Sequence, residues 1–554
     1  MDSGGRTIVL AASDSESSEY RRSCWRQMLL ATLPAKYARY IGPDWSVKNE
    51  LAPDGQAKYV PQGLRIVESI LLQRFPPEAI AVCYADELDL FIGESTRVIG
   101  IHAHNPLGVS FTSDAYAYLY AGVAEPINAH EFRRLIMHPA IRRHKPHVKI
   151  ILGGPGAWQV EHKQLQDEWM IDCLVDGEAE EVVLPLFEAA IRGESLPRKV
   201  KGSSPTLEKI PFTHHRATFG GVEITRGCGR GCQFCSIALR RGHSIPLDNI
   251  LHNVRVQVAE GADTVMLTSE DLFLYEQGPR FETNLPALKR LFESVSAVEG
   301  VKHLILTHAT IAPIVHQPQV IEELSPIAVS KSVHQHNAST HPDKRYADVL
   351  IGIETGSPRL CKQIMKGKAY PFHAEQWPDI VLKGIEILNK NNWFPFCTFI
   401  IGLPGEREED TRLSLDLLHA LRAAKWCVVP TLFLPMHDTK AAAQPSAKLM
   451  NFTDLQWEFF FTCWRYNLDF FRDTSFGQWK WNIGVPLYYY FLGRRLFGPA
   501  IKYPLFRLGH IPERFLRRRL YLDLSGKAKP KLCWPETVEI PTERASSSFP
   551  ILNE

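Results

Sequence analysis

"ITRGCGRGCQFCSIALRRGHS", residues 224–244, sets three cysteines, Cys228, Cys232 and Cys235, within eight residues and supplies no fourth. A tetrahedral structural zinc takes four ligands, so a zinc reading of this C-x-x-x-C-x-x-C spacing needs His243 to complete the set. A four-iron four-sulfur cluster takes four thiolates when saturated, and three leave one iron open to a substrate or cosubstrate. Gly227, Gly229 and Gly231 let the backbone wrap closely round a bulky group, and Phe234 is placed to shield it. The loop leaves the run "VEIT" (222–225) at the strand end where barrel sites form.

Working outward, further short apolar runs follow at 264–268, 304–308, 349–355, 394–402 and 428–435, each separated by enough chain for a helix. Six strand-helix units predict a partial (β/α)6 TIM-like barrel. Upstream, runs at 8–12, 79–85, 97–104 and 148–154 alternate with helical stretches such as 63–75, and 171–190 reads as a last strand, a turn at Gly177 and a closing helix. That alternation predicts an α/β, flavodoxin-like (Rossmann-type) parallel sheet. Residues 192–219 are rich in Pro, Ser, Lys and Gly without apolar periodicity and read as a linker. The expected divisions are therefore 1–191, 192–219, 220–445, and a mostly helical, aromatic-rich C-terminal unit at 446–554.

Composition excludes little but is consistent. A chain of 554 residues exceeds what one core organises. A net charge of +2 on 63 basic and 61 acidic side chains is far from a nucleic-acid-binding excess. The N-terminal "MDSGGRTIVLAASDSESSEYRRS" has too short an apolar run for a signal peptide, and "WNIGVPLYYYFLG" (481–493) is too short to span a bilayer. A cytoplasmic location is expected. The eight remaining cysteines, Cys24, Cys83, Cys173, Cys361, Cys397, Cys427, Cys463 and Cys533, lack ligand spacing and read as buried small hydrophobes.

The three-cysteine loop, with an aromatic residue before the last cysteine, resembles the radical S-adenosylmethionine superfamily. The resemblance implies a 4Fe-4S cluster on Cys228, Cys232 and Cys235, whose open iron chelates S-adenosylmethionine. One electron would then cleave the sulfonium and give a 5′-deoxyadenosyl radical able to attack an unactivated carbon. "TVMLTSEDLF" stands where the superfamily has a Gly-Gly-Glu-like segment, which implies that Glu270, beside Ser269, accepts the ammonium group; both glycines are missing, and Asp271 is left open. "LIGIETGSPRLCKQIMKGK" is similar to the segment near the ribose and carboxylate and points to Glu354 and Ser357. "FIIGLPGEREEDT" is similar to the adenine-side turn, with Ile401, Gly402 and Pro404 in backbone contact. Each has a plain structural alternative, among them a Glu354 paired with a lysine; their order after successive strands favours the site.

The N-terminal segments "ILGGPGAW" and "DCLVDGEAEE" resemble the cobalamin-binding domain of the radical enzymes that include hopanoid methylases, the bacteriochlorophyll ring cyclase and archaeal tetraether lipid ring synthases. This implies that Gly153, Gly154 and Pro155 approach the corrin tail and that Gly177 and Glu178 lie at its periphery. The chain has no D-x-H-x-x-G, so His102 and His104 are not automatic cobalt ligands.

Six of the 21 histidines fall between His303 and His341, as a solvated insertion or a substrate loop with a proton donor or acceptor. Twenty of the 57 aromatic residues lie between Phe452 and Phe515, interleaved further on with Arg494, Arg495, Lys502, Arg507, Arg514, Arg517, Arg518 and Arg519. Such a segment suits a self-packed lid or peripheral contact with the inner membrane face. Nucleic acid is not expected: the tRNA methylthiotransferases, which share the radical core, carry an RNA-binding β-barrel not found here.

The expected function is therefore a cobalamin-binding radical enzyme that methylates a carbon of a hydrophobic, lipid or isoprenoid substrate, fed by ferredoxin or flavodoxin. Ring closure or carbon-carbon joining on a lipid or tetrapyrrole is the alternative reaction, and a non-catalytic cobalamin or metal sensor or carrier the alternative class.

Overall fold

The computed structural model describes residues 4–19, 35, 49–109, 125–240, 242–333, 345–448 and 451–474. Its first sheet contains β1 (Ile8–Ala11), β2 (Ile80–Cys83), β3 (Val98–His102), β4 (Lys149–Gly153), β5 (Cys173–Asp176) and β6 (Lys199–Lys201), all parallel, in the order β2-β1-β3-β4-β5-β6. A strand such as β1, with all four residues fully buried, has to be covered on both faces. Helices Gln62–Leu72 and Val183–Ile191 cover one face through Leu64, Leu71, Val183 and Phe187. Helices Ile127–Ile136 and Pro139–His144 cover the other through Phe132, Leu135 and Ile141, with Trp169 beside them. Gly100 on β3 has no side chain because a Cβ there would stand 2.7 Å from Leu10 and 2.8 Å from Phe187; its absence lets the Phe187 ring lie on the sheet.

This is the order of doubly wound flavodoxin-type sheets, in which the chain reverses between β1 and β3 and ligands sit beyond the carboxyl ends at that point. One expectation is corrected. Lys199–Lys201, read as linker, is the edge strand β6, and its exposed-intermediate-exposed Lys-Val-Lys alternation is that of an edge protected by charge.

The second unit starts with β7 (Gly221–Glu223) and a short antiparallel pair, β8 (Thr225–Arg226) with β9 (His243–Ser244). β10 (Thr264–Thr268) lies between β7 and β11 (His303–Leu306). After the single residue Thr307, β12 (His308–Ala309) pairs with β13 (Ala347–Glu354), followed by β14 (Trp393–Ile401) and β15 (Cys427–Leu432). The Leu350 N–H donates to the Thr307 carbonyl at 2.7 Å, so the two parallel ladders form one six-stranded wall in chain order. Helices Leu247–Ala259, Leu285–Ala297, Gln319–Ser330, Trp377–Lys390 and Glu408–Ala420 lie between its strands in sequence. The expected alternation of parallel strands and helices is present in this unit.

Helix Asp454–Thr474 is the described part of the aromatic C-terminal unit and closes the free edge of β15. Its Asn467, 1% exposed, accepts from the Val428 N–H at 2.8 Å and donates to the Val428 carbonyl at 2.6 Å, replacing a missing neighbour strand. Phe459 packs edge-on against Phe399 of β14. Replacing Asn467 by leucine leaves both Val428 groups buried and unpaired. An expected cost of about 2–4 kcal/mol would register as a lowered thermal unfolding midpoint. The tail with its arginines and the histidines at 334, 336 and 341 lie outside the described residues. Among the described residues no helix is long and apolar enough to cross a membrane.

The carboxyl edge of the first sheet packs against the second unit on both sides of β7 and after β15. After β1, the Ser17 carbonyl accepts from the Thr218 hydroxyl, and Glu19 takes the Phe219 N–H and the Arg216 guanidinium at 2.8 Å. After β5, Glu178 and Glu180 take Arg226 at 3.0 and 2.5 Å. After β15, His437 stacks on Trp158 and bonds Asp176 at 3.3 Å.

Candidate functional site

The cysteine loop begins where β7 ends and is pinned from below. Arg230, 4% exposed, points its guanidinium at Asp271, which is fully buried, with the Nε contact at 3.0 Å and a second nitrogen at 2.9 Å. The other Asp271 oxygen accepts the N–H groups of Phe273 and Thr310, so one carboxylate ties the loop to the ends of β10 and β12. Asp271 is thus an anchor, turned away from its neighbour Glu270, as alternation along an extended chain requires.

Gly367 completes the cradle. A Cβ there would run into the Arg230 carbonyl, and the Gly367 carbonyl accepts from Arg230 at 3.2 Å. Gln233 bonds the carbonyls of Ile364 and Gln363 at 2.8 Å each. The turn after helix Pro358–Ile364 is thereby laid directly on the loop.

Cys228 and Cys235 are partly exposed and Cys232 is 5% exposed. Burial pushes the Cys228 thiol up to about 12 and Cys232 to about 11, and raises Cys235 as well, with Lys368 pulling the last two back towards thiolate. Three thiols held protonated by burial are poised to exchange protons for metal. Among the described residues no three His, Cys, Asp or Glu side chains gather tightly enough for a single ion, and His243 sits in β9 opposite Arg226. A cluster asks for wider spacing, one thiolate to each iron. The donor set, an all-thiol triad in a glycine-bounded loop, fits that group.

Glu270 is half-buried without a described cation at ion-pair distance. Burial, and then the Glu223 carboxylate, push it up to about 7, against the opposing pull of Arg240. Its folded value lies above its unfolded one, so the folded chain holds an extra proton between pH 4.5 and 7 and loses stability as pH rises through that window. Glu270→Gln is therefore expected to stabilise the ligand-free chain above pH 7, by on the order of 1–3 kcal/mol, and to leave it nearly unchanged at pH 4.5. Thermal unfolding at the two pH values checks this.

Glu354 ends β13 at a register shift, with φ at +67°, a conformation a non-glycine residue adopts at a cost of about 1–3 kcal/mol. One oxygen takes the Lys368 ammonium at 2.7 Å and the other the Thr398 hydroxyl at 2.9 Å. The lysine-paired alternative is thus realised, but inside the site. His308, exposed to solvent, adds its Nδ1 at 3.3 Å from the Ser269 carbonyl.

The other expected residues are placed as follows. Ser269 shares a 2.5 Å hydrogen bond with Thr225 and accepts the Asp271 N–H. Ser357 caps helix Pro358–Ile364 through the Leu360 N–H and donates to Asp410 at 2.5 Å, so its hydroxyl is already engaged. The Ile401 carbonyl accepts from Phe433, and Gly402, at φ +81°, donates to Glu406 at 2.8 Å just before Pro404.

On the N-terminal sheet, Gly153 ends β4 ahead of Pro155. Gly154 and Gly177, both at φ +103°, pack on the Ala103 and Gly202 carbonyls, where a Cβ would stand at 2.7 and 2.8 Å. Glu178 bonds Ser204, Arg226 and Arg240. His102 bonds Glu16 at 3.1 Å, next to the β1/β3 reversal. Sequence reading did not single out Arg230, Lys368 or His308; "MKGK" alone carried no signal that its second lysine would be buried.

The family model of the Radical SAM superfamily matches residues 222–418. A tRNA-2-methylthio-N(6)-dimethylallyladenosine synthase of Moorella thermoacetica is 26% identical over 268 residues, 47% of this chain and 54% of that protein. The ribosomal protein uS12 methylthiotransferase RimO of Pseudomonas syringae pv. tomato is 24% identical over 235 residues, 39% of this chain and 46% of that protein. The chain thus spans about half the length of these curated relatives, which are methylthiotransferases and not the lipid and tetrapyrrole enzymes expected from the sequence. The radical S-adenosylmethionine methyltransferase TsrM of Kitasatospora setae, solved with tryptophan and a SAM analogue, superposes with a TM-score of 0.51 at 15% identity, over 79% of this chain and 75% of that one. A second TsrM structure, with cobalamin and a [4Fe-4S] cluster bound, gives 0.50 at 14% identity over 79% and 74%. The segment that matches the Radical SAM superfamily model, residues 222–418, contains the whole cysteine loop, and the chemistry of that superfamily rests on a 4Fe-4S cluster and S-adenosylmethionine.

Proposed function

We propose that the chain is a radical S-adenosylmethionine methyltransferase acting on an unactivated carbon. One observation carries the reading: at the carboxyl end of the half-barrel the three-thiol loop meets an unpaired carboxylate, Glu270, and the Glu354–Lys368 pair. When bound, the cluster supplies a single electron and an open iron.

In this reading Cys228, Cys232 and Cys235 are its ligands and the Arg230–Asp271 pair fixes their loop. Glu270 ionises fully as it meets the cosubstrate ammonium, which offsets the burial that raises its pKa. Cosubstrate affinity is expected to fall as pH drops below about 7. Glu354, ion-paired with Lys368, borders the ribose side, with Ser269 and Ser357 fixing the turns around it. Ile401, Gly402 and Pro404 form the adenine side.

Cobalamin is assigned to the crevice beyond β1 and β3, bordered by Gly153, Gly154, Pro155 and Gly177. Its support is the sheet order and the packing of this carboxyl edge against the second unit. Glu178 docks the domains instead. A corrinoid absorption spectrum of the purified chain tests this part.

Methyl transfer is preferred, and ring closure has no support among the relatives. Methylthio transfer is the second reading, favoured by the names of the relatives, although the described thiols outside the loop, Cys83, Cys173, Cys361, Cys397, Cys427 and Cys463, are all buried. A lipid substrate rests on the aromatic tail, outside the described residues, whereas the relatives are named for tRNA and a ribosomal protein. The metabolites and tRNA nucleosides of a deletion strain, labelled from methyl-S-adenosylmethionine, separate these. A missing label on a carbon supports the proposal, a missing label on sulfur the second reading, and an unchanged profile overturns both.

A further inference from the structure

Lys368 is a buried ammonium that neither the motif spacing nor the fold requires. Its side chain is 12% exposed and that of its partner Glu354 is 9% exposed. Sealing such a pair away from water is no gain over apolar packing unless the charges serve something else. The backbone is nevertheless shaped to admit it. Gly352 leaves the space that the Glu354 carboxylate and the Lys368 ammonium occupy, and a Cβ at that position would run into both. Gly367, abutting the Arg230 carbonyl, then delivers the next residue, Lys368, onto the cysteine loop.

The cysteine loop lies against the turn that carries Lys368: Gln233 bonds the carbonyls of Ile364 and Gln363 at 2.8 Å each. Gly367 packs on Arg230, which lies in the loop between Cys228 and Cys232, so Lys368, the residue that follows it, enters the site beside the thiols. Three thiolates and Glu354 form an anionic neighbourhood in which this cation is the described lysine within reach. Charges and hydrogen bonds next to a cluster set its reduction potential. A cation stabilises the more negative, reduced form.

We propose that Lys368, aimed by Glu354, is a positioning residue that sets the reduction potential of the cluster held by Cys228, Cys232 and Cys235. The inference rests on the radical S-adenosylmethionine reading above. It adds a consequence that the reading lacks: two partners of one ion pair should move the potential in opposite directions. Lys368→Met removes the cation and leaves Glu354 uncompensated, so reduction becomes harder. Glu354→Gln leaves the cation uncompensated, so reduction becomes easier.

The test is a dye-mediated potentiometric titration, followed by electron paramagnetic resonance, of the full chain reconstituted with iron and sulfide and without S-adenosylmethionine. Lys368→Met should shift the midpoint to a more negative value, Lys368→Arg should return most of that shift, and Glu354→Gln should shift it the other way. Unmoved midpoints in variants with wild-type iron content would overturn the proposal, as would shifts of the same sign from Lys368→Met and Glu354→Gln. If Lys368→Met holds no cluster, Glu354→Gln decides alone: a positive shift supports the proposal and any other result overturns it. A wild-type chain that takes up no iron-sulfur cluster would instead refute the underlying reading, which separates the two failures.

Discussion

Replacing Cys232 by alanine is expected to leave a folded chain that retains little iron and cleaves S-adenosylmethionine no faster than the uncatalysed background. Cys232 is the most buried of the three thiols, yet its side chain is no more than a single thiol group. Losing one sulfur costs about 1 kcal/mol of stability, the typical size of a single substitution. The loop does not depend on it for shape, because Arg230, Asp271, Gln233 and Gly367 hold its backbone from outside. Iron and acid-labile sulfide analysis beside a thermal melt should therefore separate: metal content falls severalfold while the melt moves little. Cys228→Ala and Cys235→Ala are expected to behave alike. Alanine at Cys83 or Cys173, in β2 and β5 of the other unit, should leave iron content unchanged.

The opposite separation is expected at the anchor. Asp271→Leu strands the Arg230 guanidinium in a site 4% exposed and leaves the N–H groups of Phe273 and Thr310 without an acceptor. Breaking a buried pair from one side costs about 3–5 kcal/mol, and the two lost acceptor contacts add to it. Arg230→Met strands the carboxylate and should cost a similar amount. Removing both charges together, Arg230→Met with Asp271→Leu, should recover part of the loss, because no charge is then left uncompensated. Denaturant unfolding of the single and double variants measures the coupling. A strictly additive double variant would show that the pair is not the tie between the loop and strands β10 and β12.

Much of this architecture is legible in the sequence, for reasons that can be named. The six runs that become β7 and β10 to β15 are apolar, β-branched and evenly spaced, and their parallel course follows from the helices between them. The cysteine loop is local, so spacing alone identifies it. What is not legible depends on distance across the fold. Sheet order is set by tertiary pairing, and a three-residue edge strand such as Lys199–Lys201 has too little pattern to register. Adjacent carboxylates, Glu270 and Asp271, differ in role because successive side chains point opposite ways, and only the structure shows that Asp271 faces Arg230. Ser357 was expected beside the ribose. Its place just before Pro358 is the pattern of a helix N-cap, and that is where the structure uses its hydroxyl. Lys368 was hidden because its partner, Glu354, lies at the end of a different element and its burial depends on two glycines.

The three-thiol loop stands or falls on one measurement: the electron paramagnetic resonance spectrum of the anaerobically reconstituted, dithionite-reduced full chain, recorded before and after S-adenosylmethionine is added. An iron with no protein ligand should give a reduced-cluster signal that changes when the cosubstrate occupies it, with 5′-deoxyadenosine formed on warming. A signal indifferent to S-adenosylmethionine, or a preparation that binds zinc in place of an iron-sulfur cluster, would contradict the account.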